Sequence, residues 1–212
     1  MASPYIKKKY RFWKRRLKRN KLRIYLAIGS IGVLAMIFTG VKLSDNSINP
    51  VVYRPLLQLI ADAESSNNYN AYYGNPSNDE VDFTSMTIQE VMDWQRQQIA
   101  NGIASSAVGR YQIIDSTLIS LVSETGVALT DKFSADVQDR LAVALLERRG
   151  AASYVKGELS AEQFAANLAM EWAALPRVLG GNPDHSYYAG DGLNHSRVSS
   201  TQILAVLASI SR

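Results

Sequence analysis

LLQLIADAESSNNYNAYYGN, residues 56–75, is the stretch on which the reading of this chain turns. Leu56, Leu57, Leu59, Ile60 and Ala63 recur at the spacing of one helical face, and Pro55 stands where a first helical turn accepts a residue without an N–H. The helix then runs through Ala-Glu-Ser into a loop rich in Asn and Tyr, which leaves Glu64 near its C-terminal end. There the macrodipole is negative and opposes another negative charge, and partial burial acts in the same direction. Glu64 is therefore expected to hold its proton above the ordinary carboxylate range. A solvated helix-end Glu is the bland alternative, and for an isolated Glu it is the commoner case.

Downstream of this helix the pattern stays helical. Thr87 with Glu90 three residues on has capping-box spacing and leads into VMDWQRQQIA, 91–100. Asp115-Ser-Thr opens LISLVSETG, which Gly126 ends. Ser134 caps ADVQDRLAVALLERRG, 135–150, with Val137, Leu141, Ala144 and Leu145 as its stripe. Ser160 caps AEQFAANLAMEWAAL, 161–175, stopped at Pro176, and Ser199 and Ser200 precede TQILAVLASIS, 201–211. Strand signals are confined to short candidates in 76–86 and around Tyr-Gln-Ile-Ile. Repeats and low-complexity tracts are absent.

Upstream, composition changes sharply. Residues 1–23 carry eleven Lys/Arg and no acid, whereas residues 44–212 hold eleven basic against all nineteen acidic residues, a net of −8. The overall charge of +4 thus describes neither half. Between them IYLAIGSIGVLAMIFTGV, 24–41, has no charge in 18 residues. As a helix it would be roughly 27 Å long, close to a bilayer core. Lys21, Arg23 and Lys42 flank it where long side chains snorkel. The competing reading is a cleaved signal peptide, but the basic region is long for one and KLSDNSINP has no clear small-x-small site. The expected organisation is a basic arm (1–23), one transmembrane helix (24–42), a linker (43–54) and a mainly α domain with a minor β element (55–212). The charge asymmetry puts the N-terminus in the cytoplasm, or inside a vesicle, and the domain outside, the membrane being either a bacterial inner membrane, with the domain periplasmic, or a phage internal membrane. The arm suits anionic lipid headgroups. Tyr10, Phe12 and Trp13 among its charges also allow contact with nucleic acid, the less favoured partner. With no Cys, disulfide and thiolate chemistry are excluded.

A carboxylic acid with a raised pKa is what cleavage of a β-1,4 glycosidic bond demands of its proton donor. A hydrolase also needs a second carboxylate, ~5–9 Å away. Asp79, Glu80 and Asp82 are the candidates, none with compelling spacing. In phage lysozymes that use two carboxylates and a Thr, the Asp follows the Glu by nine residues, and here that position is Tyr73. A single-acid mechanism fits better: Glu64 protonates the leaving oxygen, then deprotonates the muramic acid 6-hydroxyl, which closes a 1,6-anhydro ring while the N-acetyl group steadies the cationic centre.

AVGRYQIIDSTL, 107–118, resembles the segment of the phage lambda endolysin family that carries a Gly-Arg-Tyr-Gln core. The same order continues in KFSADVQDRLAVALLERRGA, 132–151, AMEWAALP, 169–176, and GNPDHSYYAGDGLN, 181–194, so that the resemblance covers roughly residues 53–212. It implies a lysozyme-like domain acting as a peptidoglycan lytic transglycosylase, with Glu64 in DAESS as acid/base. Tyr111 would pack on a sugar face and Gln112 would hydrogen-bond an acetamido or hydroxyl group. Trp172 would be cleft wall or, preferably, core, and Tyr187 and Tyr188 would line the opposite wall. The chain departs from the family in its basic arm and apolar segment, which the soluble members lack, and in the loop between Glu64 and Gly109.

No cofactor or metal is expected. His185 and His195 with Asp184 and Asp191 fit no common ligand spacing, and nucleophile-elbow, phosphate-loop and dinucleotide fingerprints are missing. The rival classes are a hydrolase on the same bond, a silent wall-binding or assembly protein that keeps the fold as a sugar clamp, and a membrane scaffold whose arm binds nucleic acid.

Overall fold

A computed structural model describes residues 50–192 and 194–210. The basic arm, the apolar segment and most of the linker lie outside these residues. Among the described residues no helix is long and apolar enough to cross a membrane.

After a short 3-10 turn, Pro50–Tyr53, seven α-helices follow among the described residues: α1 Arg54–Ser65, α2 Ile88–Ala100, α3 Asp115–Thr125, α4 Ala135–Arg148, α5 Ala151–Val155, α6 Ala161–Ala169 and α7 Ser200–Ser209. Helix α1 has Pro55 in its first turn and buries Leu56, Leu57, Ile60 and Ala61 against α4 and α7. Full burial of a side chain such as Leu56 or Ile60 contributes about 1.5–3 kcal/mol. Thr87 and Glu90 form the expected capping box of α2, and Gly126 ends α3 in a left-handed turn. Ser160 with Gln163, and Ser199 with Gln202, build the same reciprocal cap on α6 and α7. Such caps are worth about 1 kcal/mol each, which explains why these starts were readable from sequence.

Three expectations need correction. The helix expected over 161–175 stops at Ala169. Glu171 and Trp172 both turn their N–H groups back to Leu168 O, which tightens the chain out of the helix and releases the N–H of Ala174 for another partner. Segment 76–86 contains no strand. The Asn78 side chain donates to Asn70 O and Val81 O and accepts from the N–H groups of Glu80 and Val81, so it takes the place of a sheet partner, and the chain then coils into the turn Phe83–Ser85. The β element consists, among the described residues, of isolated antiparallel bridges: Tyr72 with Asn75 and Val108, Val108 with Ile113, Thr87 with Lys132, and Pro176 with Ser186. Finally, α5 was not anticipated. It begins at Gly150, whose φ of +104° lets the chain turn directly out of α4.

The loop between α1 and α2 is held down by an edge-to-face cluster. Phe83 lies 4.8 Å from Trp94 and 6.3 Å from Tyr72, and Tyr72 lies 5.4 Å from Trp94. These contacts fix the loop that leads away from Glu64 against the side of α2.

Candidate active site

Glu64 is the penultimate residue of α1, and the chain turns sharply behind it. Ser66 and Asn67 both take positive φ, 52° and 65°, and the N–H of Asn67 closes back on Ala61 O at 3.0 Å. Two successive left-handed non-glycine residues are costly and persist only where surrounding contacts hold them. Here Ser65 supplies the contact, since its buried hydroxyl donates to Ala61 O and to Arg110 O, at 3.0 and 2.8 Å.

Glu64 itself is partly accessible. The backbone N–H of Ala174 donates to its Oε1 at 3.0 Å. Burial of the carboxyl group raises its pKa from the ordinary 4.5 to about 7, against the pull of the Ala174 N–H and the Arg197 guanidinium. It is thus a carboxyl group that carries a proton for a large part of the time near neutrality.

The Gly-Arg-Tyr-Gln segment is the brace of this site. Gly109 has φ +77°, and a Cβ there would lie 2.4 Å from Gln138 Oε1 and 2.9 Å from Phe133. Only glycine fits, because Gln138 must come close enough to accept from Arg110 N, at 2.9 Å. The Arg110 guanidinium donates to Gln58 Oε1, Asn67 Oδ1, Tyr69 OH, Tyr111 OH and Asp139 Oδ1, at 2.7–3.1 Å. It links α1, the turn behind Glu64 and α4 through one planar group.

Tyr111 departs from its expected role. It is 1% exposed, and its hydroxyl donates to Asp139 Oδ1 at 2.7 Å while accepting from Arg110, which leaves no ring face for a sugar. Burial and the adjacent carboxylate push its pKa far up, so it stays neutral. Its carbonyl accepts the indole N–H of Trp172 at 3.2 Å. Trp172, 3% exposed, is core rather than cleft wall. It anchors the segment whose next-but-one residue, Ala174, meets Glu64. Gln112 is partly buried at φ +48°, with its amide N–H donated to Gly109 O at 2.9 Å. Tyr188 is half-buried and donates to Met170 O at 2.7 Å, with the exposed Tyr187 edge-on at 5.2 Å.

Of the candidate second carboxylates, Asp82 is exposed and accepts from the hydroxyls of Thr84 and Ser85, which hold its pKa below the usual value. Asp79 and Glu80 are exposed on the same loop. The charge acting on Glu64 comes from a cation, Arg197, whose Nη1 donates to Ala63 O at 3.2 Å and whose backbone N–H donates to Ala174 O at 2.8 Å. No group of three or more His, Cys, Asp or Glu among the described residues is arranged to hold a metal ion. Sequence reasoning missed Ser65, Ala174 and Arg197. Ala174 contributes only its backbone and leaves no sequence signal, whereas Arg197 was visible as a basic residue in an acidic domain.

A family model described as Endolysin matches residues 54–190. The chain belongs to the endolysin family. It is accordingly a lysozyme-type, cell-wall-degrading enzyme of phage character with peptidoglycan as its substrate. The matched range includes Glu64, the Gly-Arg-Tyr-Gln brace and Ala174, and stops short of Arg197 and α7. No curated protein and no solved structure matches the chain.

Proposed function

We propose that this endolysin is a lytic transglycosylase that cleaves the β-1,4 bond between N-acetylmuramic acid and N-acetylglucosamine, with Glu64 as its single acid/base. The observation that carries this reading is the environment of Glu64: a partly accessible carboxyl group, protonated near neutrality, held by one N–H at Oε1 and influenced by a cation rather than by a partner carboxylate. In the first step Glu64 gives its proton to the glycosidic oxygen, and the departing sugar leaves as a 4-hydroxyl. The Glu64 carboxylate then takes the proton of the muramic acid 6-hydroxyl, whose oxygen bonds to C1 and closes the 1,6-anhydro ring. Glu64 ends protonated as it began, and no water is consumed. Gln112 and Tyr188 serve as polar contacts for the strand, with Tyr111 and Trp172 holding the cleft from behind.

The basic arm and the uncharged segment 24–41 support a membrane-anchored form of the enzyme, with the N-terminus inside and the catalytic domain on the wall side. Two settings suit it: an enzyme of the virion that opens the wall as the genome enters, or an endolysin held at the membrane until lysis. Resistance of the full chain to extraction from membranes by alkaline carbonate tests the anchor.

For the chemistry, the full chain and Glu64→Gln are incubated with purified peptidoglycan and the soluble products are weighed by mass spectrometry. Anhydro-muropeptides from the wild type alone are expected. Reducing-end products instead would make the enzyme a hydrolase and return attention to Asp79 and Asp82.

A further inference from the structure

Arg197 lies beside the general acid with most of its hydrogen-bonding capacity unspent. Its backbone is fixed by the bond to Ala174 O, the residue whose N–H holds Glu64, and one guanidinium N–H rests on Ala63 O in the last turn of α1. A guanidinium offers five N–H donors in a planar fork. The ion pairs among the described residues involve Arg96, Arg110, Arg148 and Arg149, and none includes Arg197. The side chain is exposed, in a region of the chain whose net charge is −8.

Its position also works against Glu64. A cation beside a general acid favours the ionised form, the wrong form for the first step. If its sole effect were on Glu64, an uncharged residue would serve the first step better. The conflict disappears if an anion from the substrate pairs with Arg197 in the complex: the cation is then neutralised at the moment when Glu64 must hold its proton. The sugar rings of a glycan strand are neutral. Its negative charge is carried on the C3 substituent of muramic acid, either by the lactyl group or by the carboxylates of the stem peptide attached to it.

Resting on the transglycosylase reading above, we propose that Arg197 binds a carboxylate on the C3 substituent of the muramic acid next to the scissile bond, and so makes the enzyme selective for charged muramyl strands. Fork-to-carboxylate pairing is the geometry for which arginine is suited.

The test uses the full chain, as wild type, Arg197→Gln and Arg197→Lys, with Glu64→Gln as the inactive control. Glycan strands with free carboxylates are compared with the same strands after carbodiimide amidation. Wild type is expected to lose about tenfold or more in kcat/KM on amidation, the scale of a charge-assisted pair. Arg197→Gln is expected to show no such discrimination, and Arg197→Lys to keep part of it. A third substrate, trimmed by an amidase so that the lactyl carboxylate is the one anion left on each muramic acid, separates the sources. Retained discrimination against its amidated form shows that Arg197 accepts the lactyl carboxylate freed on a bare muramic acid, and lost discrimination confines its partner to the stem-peptide carboxylates. Wild-type cleavage that ignores amidation, or an Arg197→Gln loss equal on both substrates, overturns the role of Arg197 alone. No products from wild type on any substrate would overturn the functional reading and this inference with it.

Discussion

Ala174 donates its backbone N–H to Glu64 Oε1 at 3.0 Å, across 110 positions of sequence. The bond favours the carboxylate, burial favours the acid, and burial wins, leaving the pKa at about 7. A proton donor must be protonated in the free enzyme for kcat/KM to be high. The expected profile therefore falls as pH rises through about 7. Measured between pH 3 and 9 on strands of defined length, a descending limb near the ordinary carboxylate value of 4.5 would remove Glu64 from the acid role.

The same shift makes Glu64 a stability cost. Its unfolded pKa, 4.5, lies below its folded value of about 7. At pH 4 both states are largely protonated and there is no penalty. As pH rises from 4.5 to 7 the unfolded chain releases the proton first, the native state binds the excess proton, and stability falls. Above 7 the penalty is constant, at most about 3 kcal/mol. Glu64→Gln removes it. Thermal unfolding should show a variant close to wild type at pH 4 and more stable by several degrees at pH 8. An equal offset at both pH values would contradict this account.

Ser65→Ala tests whether the turn behind Glu64 is held as the geometry indicates. The hydroxyl lost is buried and donates to Arg110 O, which would be left without that partner. A cost of about 1–3 kcal/mol in denaturant unfolding is expected. Activity should fall through kcat more than through KM, because the acid is displaced while the strand contacts remain. Unchanged kcat in a destabilised variant would separate the turn from catalysis.

How much of this site could be read from sequence follows from which contacts are local. Thr87–Glu90 and Ser160–Gln163 are three residues apart, so their caps were legible, as was the placement of Glu64 at the end of an amphipathic helix. The Gly-Arg-Tyr-Gln motif is legible, but the burial of Tyr111 is not, because Asp139, which claims its hydroxyl, lies 28 positions away. Long-range partners of this kind carry no periodicity. The end of α6 was misplaced for a related reason: 161–175 is a good helical pattern, and the segment leaves it because tertiary bonds draw Ala174 to Glu64. Residues 1–49, where charge and hydropathy speak most clearly, lie outside the described residues.

Gly109→Ala should be among the most damaging small substitutions in the domain. The new methyl group meets Gln138 Oε1 at 2.4 Å in a left-handed backbone conformation. Gln138 cannot withdraw freely. Its Oε1 accepts from Arg110 N, and its amide N–H groups serve Tyr69 O and Phe133 O. Overpacking and strain together suggest a loss of about 2–4 kcal/mol. Gly102→Ala is the control, with positive φ (+87°) but nothing within 4 Å, and should lose markedly less. Equal losses in urea unfolding would mean that the conformation alone, without the clash, sets the cost.

Arg110→Met asks what the buried guanidinium contributes. The arginine is 11% exposed at its side chain, while its ion partner Asp139 is 40% exposed and can regain water, so the Coulombic part of the loss is modest. The larger loss lies with Asn67, Tyr69, Tyr111 and Gln58, which all direct oxygen atoms at one cation and would face an apolar side chain. Leaving several of them without a donor should cost about 3 kcal/mol, at the low end for a broken buried pair. Arg110→Met paired with Asp139→Leu, which removes the carboxylate but also the acceptor of the Tyr69 and Tyr111 hydroxyls, should recover only a minor part of it. Recovery of most of the stability in that double variant would show that the ion pair, rather than the fan of neutral acceptors, holds the turn behind Glu64 to α4.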